Sequence, residues 1–139
     1  MQIIDDPRMV AWEARVPEMV RGDVIWRFHT CCVALFLLAL AKRDVTTSRV
    51  GVRHATADQL LRSVASVGAN IAEGYSRASP RERARFYDIA LGSVREASTW
   101  YASATFLSEP VIAERVLQLS ELRRLLLASL REVGRRAFD

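Results

Sequence analysis

Residues 56–82 read TADQLLRSVASVGANIAEGYSRASPRE, and the fold turns on this run. Leu60, Leu61, Val64, Val67, Ile71 and Ala72 recur at helical spacing, which predicts an amphipathic helix. The Thr56 hydroxyl can cap its start while Gln59 reaches back, a capping box that sets the first turn near Ala57. Gly74, lacking a Cβ, can take a left-handed stop. Ser79-Pro80-Arg81-Glu82 then opens a second helix: Ser79 supplies the cap oxygen, Pro80 fits a first turn that needs no amide, and Glu82 closes the box. Helices joined by so short a turn must lie side by side and run in opposite directions.

Working outward, Phe86, Ile89, Ala90, Val94, Ala97, Trp100, Tyr101 and Ala104 carry the second helix to about Leu107. Ser108-Glu109-Pro110 turns the chain, and Val116, Leu119, Leu122, Leu126, Leu130 and Val133 mark a last helix ending near Arg136. Upstream, 24–41 reads VIWRFHTCCVALFLLALA; Arg27 and His29 interrupt it, and the clean run from Thr30 is 12 residues, too short to span a membrane. A buried helix is expected there, followed by a polar loop from Asp44 to Ala55. The expected fold is all-α: an up-down-up-down antiparallel four-helix bundle over 23–139, with helices at about 23–43, 57–74, 80–107 and 110–136. Residues 1–22, with Pro7 and Pro17, form an N-terminal extension with a short helix from Arg8 to Arg15.

Composition agrees. The 139 residues suit one domain, and 50% apolar with 26% charged residues excludes a disordered chain. Helix one is apolar nearly all round, and Leu117, Leu125 and Leu127 lie outside the main stripe of helix four. A lone bundle would expose them, so self-association through helices one and four is expected. The alternative is that the N-terminal extension covers the patch within one chain.

Arg62, Ser66, Asn70, Glu73 and Arg77 follow one another at three or four residues, a polar stripe on a helix built to be buried. Arg85, Ser93 and Glu96 on the next helix can partner it, with Gly92 allowing close approach. The expectation is a satisfied polar network of Arg62, Ser66, Asn70, Glu73, Ser93 and Glu96 that fixes which faces meet. Glu73 and Glu96 resemble an acid pair, but no nucleophile, metal-ligand set or phosphate loop accompanies them, so no catalytic residue is assigned. Two histidines and the adjacent Cys31 and Cys32 make neither a metal site nor a disulfide framework, and no cofactor is expected.

The R-S-x-x-S-x-x-x-N-I-A-E-G run at Arg62 to Gly74, followed by Arg77, Ser79, Glu82, Arg85-Phe86, Ile89-Ala90, Gly92-Ser93 and Glu96, resembles the 23S ribosomal RNA intervening-sequence proteins. That family includes accessory variability determinant proteins of diversity-generating retroelements. The resemblance starts at about Val24 and implies a four-helix bundle that assembles as a ring-like homopentamer without enzymatic activity. In the retroelement branch it implies a basic ring that binds nucleic acid and a reverse transcriptase. Residues 1–22 precede the family's usual start, and the first loop lacks its aromatic-proline ending.

Of 20 basic residues 19 are arginine, and the net charge is +4. Three segments, 42–53, 76–85 and 123–139, each carry +3, and the rest is net acidic. In the expected bundle the last two converge. Arg81, Arg83 and Arg85 sit where the helix dipole disfavours cations, so helix stability does not explain them, and free amides beside guanidinium groups suit phosphate. Arg77, Arg81, Arg83, Arg85, Arg131, Arg135 and Arg136 are therefore the candidate nucleic-acid contacts, for RNA or DNA, governed by backbone charge and weakened by salt. The bland alternative is a solvated face. No aromatic-rich surface is evident in the sequence, so readout of bases is not expected. With no signal segment, a cytoplasmic protein is expected.

Overall fold

The computed structural model describes residues 2–49 and 54–137. Residues 50–53, part of the expected first loop and its basic segment, and 138–139 lie outside the described residues. Among those described, the secondary structure is entirely helical: α1 (Pro7–Glu13), α2 (Glu18–Arg21), α3 (His29–Thr47), α4 (Ala55–Tyr75), α5 (Pro80–Ser103) and α6 (Glu109–Arg136), with 3-10 turns at Ile3–Asp5 and Val24–Arg27. The four long helices make a helical bundle. Helix α4 packs most extensively on α5, α5 packs on α6, and α3 touches both α4 and α6.

The strongest local signal behaves as its chemistry dictates. Ser79 caps α5, its Oγ accepting from Glu82 N, and Pro80 lies in the first turn. Other boundaries move. Helix α4 is capped by His54 rather than Thr56, the imidazole Nδ1 accepting from Ala57 N at 3.4 Å. It also runs through Gly74 to Tyr75 without a left-handed residue. What Gly74 provides is closeness: a Cβ there would lie 2.8 Å from the Tyr87 ring and 2.9 Å from Phe86 Cβ, on α5. Gly92, read as the point of close approach, has no such neighbour and is exposed. Helix α5 stops at Ser103.

Helix α3 differs most from its expected form. Residues 24–27 tighten into a 3-10 turn capped by the Asp23 carboxylate, and the α-helix continues past Arg43 to Thr47, drawing Asp44 out of the expected loop and into the core. Beyond the Ser48 cap, Arg49 takes a φ of 64°, a left-handed conformation usually left to glycine.

The apolar circumference of α3 is met inside one chain. Ile3 and Met9 are buried, Trp12 packs against Phe36 with ring centroids 5.6 Å apart, and Trp12 stacks on Trp26 at 5.9 Å. Polar contacts hold the same segment: Ile3 N donates to both oxygens of Glu121 on α6, and Arg8 bridges Asp6 and Glu114. Burying Ile3 and Met9 is worth roughly 1.5–3 kcal/mol each. The described part of the expected extension, residues 2–22, thus sheathes α3, and α3 needs no second copy to cover it. Exposed large apolar side chains are concentrated instead on the sheath, at Ile4, Val10, Met19 and Val20, with Val24 in the following 3-10 turn, Leu117 on α6 and Ile89 on α5.

Candidate nucleic-acid interface

A cleft of about 550 Å³ opens where α3 starts, α4 ends, α5 starts and α6 ends. The packing of α4 on α5, of α5 on α6 and of α3 on both α4 and α6 gathers these four termini around the cleft. Arg27, Arg83 and Arg136 reach it from three different elements, and Phe28, Tyr75 and Tyr87 supply aromatic surface. Phe28 stacks on Tyr75 with centroids 5.4 Å apart and planes 22° apart, and meets Tyr87 at 5.7 Å. Burial pushes the Tyr87 phenol up to about 12, so it stays neutral at physiological pH. Thr30, Ser129 and Glu132 add hydroxyl and carboxylate groups on the same walls.

The arginines chosen from sequence divide by the bonds they make. Arg83 donates to the carbonyl oxygens of Tyr75 at 3.3 Å and Arg77 at 2.8 Å, closing the end of α4, and its guanidinium lies over the Tyr75 ring. Arg77 pairs with Glu73 one turn back and lies over Phe86 at 5.2 Å. Arg135 and Arg136 share Glu132, at 2.9 and 3.0 Å. Arg81, Arg85 and Arg131 are exposed and make no ion pair among the described residues. Arg27 was missed, because it was read only as an interruption of an apolar run. The aromatic surface was missed too: Phe28, Tyr75 and Tyr87 belong to three segments, and no local window contains them together.

The polar stripe also divides. Ser66 and Ser93 hydroxyls meet at 2.9 Å, and Asn70 Nδ2 donates to the Ser66 carbonyl and hydroxyl at 2.8 and 3.0 Å, tying α4 to α5. Arg62, Glu73 and Glu96 stay out of that network and bond along their own helices, to Asp58, Arg77 and Trp100. At 3.6 residues per turn a stripe of this length drifts round the helix, so its ends leave the α5 face.

A second polar cluster, unforeseen, lies at the other end of α3. Arg115 donates from Nε and Nη2 to Asp44 at 2.8 and 3.0 Å, and Tyr101 OH donates to the same carboxylate at 2.8 Å. All three are buried. Burial alone would depress the guanidinium's pKa, but the Asp44 carboxylate outweighs it and raises it, while burial and that same charge push the Tyr101 phenol up. An acid in the last turn of a helix opposes the dipole, and Asp44 offered that signal only once the end of α3 was known.

The profile of 23S rRNA-intervening sequence proteins matches residues 44–128, more than half of the chain. The chain belongs to this family. The matched stretch of the 23S rRNA-intervening sequence protein contains α4, α5, Asp44 and Arg115, whereas Arg27, Glu132 and Arg136 of the cleft fall outside it. Comparison with curated proteins gives no match. Among solved structures, a protein of unknown function from the S23 ribosomal protein family of Bacteroides thetaiotaomicron superimposes with a TM-score of 0.59 at 24% identity, over 70% of this chain and 97% of that one. The likeness is one of fold. No helix among the described residues is long and apolar enough to cross a membrane.

Proposed function

We propose that this chain is a non-enzymatic accessory protein that binds RNA or DNA by phosphate contacts at its arginine-rich end. The observation that carries this is the convergence of Arg27, Arg83 and Arg136 from separate elements on one cleft, with Arg81 and Arg85 on the adjoining turns of α5. Guanidinium groups in a fixed fork suit phosphate oxygens, and the open amides of a helix start favour the same charge. Changing Arg27, Arg81 and Arg85 together to Glu tests it, since none of the three makes a side-chain hydrogen bond to the described residues. Retention of a labelled RNA at moderate salt is expected to disappear, and the wild-type affinity to fall linearly on a log–log plot against salt. Unchanged retention by the triple variant overturns the proposal.

The up-down-up-down order of the bundle, the ring-like homopentamer and the reverse-transcriptase partner belong to the same proposal, drawn from the family resemblance. Supporting a protein partner are the exposed apolar side chains of the sheath, above all Met19 at 93% exposure, and Leu117 at 68%. Light scattering with mass determination checks the ring, and a monomer at working concentration removes it. The same side chains favour a second reading, a structural ring without nucleic-acid binding, which requires an oligomer that persists on dilution and shows no salt-sensitive retention of RNA.

A further inference from the structure

The cleft contains more than a phosphate surface needs. Charge alone is served by arginines standing in water, yet here Phe28 and Tyr75 present half-buried rings beside the guanidiniums, and the volume of about 550 Å³ falls in the range of small-molecule sites. Arg83 Nε is buried without an acceptor among the described residues, so one donor of a rim arginine is left unused. Glu132 also lines the cleft, and a carboxylate there can accept from an exocyclic amino group.

We propose that this cleft takes one unstacked base of a single-stranded nucleic acid, with Arg27, Arg83 and Arg136 holding the phosphates on either side of it. This rests on the nucleic-acid reading above and narrows it to single strands. An aromatic wall with a cationic rim matches a base and its backbone: the half-buried Phe28 and Tyr75 rings offer apolar surface to any base, while the guanidiniums follow the charge. A duplex keeps its bases stacked and offers the cleft nothing but phosphate. Glu132 already balances Arg135 and Arg136, so the rim carries less net charge than its arginines suggest, and the base supplies what charge does not.

The test compares fluorescently labelled single strands of about ten nucleotides, RNA in one arm and DNA in the other, with a blunt duplex of the same length. The wild-type chain is expected to bind at least one single strand about tenfold more tightly than the duplex, in line with the worth of one stacked base. Ala128→Trp fills the cleft from an exposed position on α6. It is expected to erase that tenfold difference and leave duplex binding unchanged. Equal wild-type affinities for single strands and duplex, or a preference that survives Ala128→Trp, overturn the base-cleft proposal while leaving phosphate binding intact. Failure of the wild type to bind any of the three overturns both. A titration of the unsubstituted chain with adenosine monophosphate, followed by NMR, is independent of any variant: shifts centred on Tyr75, Tyr87 and Ala128 support the site, and shifts confined to surface arginines sink it.

Discussion

Where α3 ends, Asp44 lies in the core with two of its cationic and phenolic neighbours, Arg115 and Tyr101, bonded to it at 2.8–3.0 Å; where α3 begins, Arg27 stands in water and Arg83 keeps a buried donor without an acceptor. The chain therefore buries one ion pair at one end and gathers arginines at the other, where Arg135 and Arg136 share the exposed Glu132. A buried pair is an element of architecture, because neither partner tolerates the loss of the other. Exposed arginines without an ion pair among the described residues, such as Arg81 and Arg85, add little to folding and are available to a charge outside the molecule.

Removing one partner of the buried pair is expected to have the largest effect. Asp44→Ala leaves buried Arg115 with only the exposed Glu114 as counter-charge and Tyr101 without its acceptor, and should cost about 3 kcal/mol in a urea melt. The double change Asp44→Leu with Arg115→Leu should recover most of that loss, since replacing both charges by apolar groups is often neutral. If the single and double variants are equally unstable, the pair is not what holds this end together. Next comes Gly74→Ala at the cleft end: its Cβ must displace the Tyr87 ring or Phe86, and a loss of about 1–3 kcal/mol is expected. That would show the cleft end to be tightly packed beneath its open charges.

The sheath offers a pH test. Arg8 holds the Asp6 and Glu114 carboxyls below their ordinary values of 3.8 and 4.5 by direct hydrogen bonds. Groups whose folded pKa is depressed stabilise above the unfolded pKa and lose that contribution as pH falls through the folded one. The sheath should therefore hold at neutral pH and loosen below about pH 4, with Trp12 and Trp26 emission moving to the red before helical circular dichroism is lost. Arg8→Ala should weaken this acid-dependent step; an unchanged step excludes Arg8 as its cause. The smallest effect on stability is expected from Arg81→Glu and Arg85→Glu, within about 0.5 kcal/mol by the same melt, although RNA retention falls. A large stability loss there would mean that these arginines serve the fold after all.

How much of this could be read from residues follows a physical line. Ser79 and Pro80 announced α5 because a cap is chemistry between atoms three residues apart, and the stripes of α4 and α6 were legible because burial repeats with the helical turn. Of the basic segments 76–85 and 123–139, which were expected to converge, Arg83 and Arg136 line one cleft. Asp44 was assigned to a loop, since Asp-Val-Thr-Thr-Ser carries weak helix formers and nothing nearby reveals a partner 71 residues away. Helix one suggested a need for another copy because an apolar residue specifies that it is covered, not by what.

The chain's own order thus determined the long helices and the cap of α5, which depend on neighbours within a turn or two. Tertiary packing decided the rest: residues 2–22 fold over α3, Asp44 finds Arg115, and Phe28, Tyr75 and Tyr87 meet around one cleft. The reason is that hydrophobic cover and charge pairing are non-local. Many surfaces could satisfy either, and only the packed chain selects which one does.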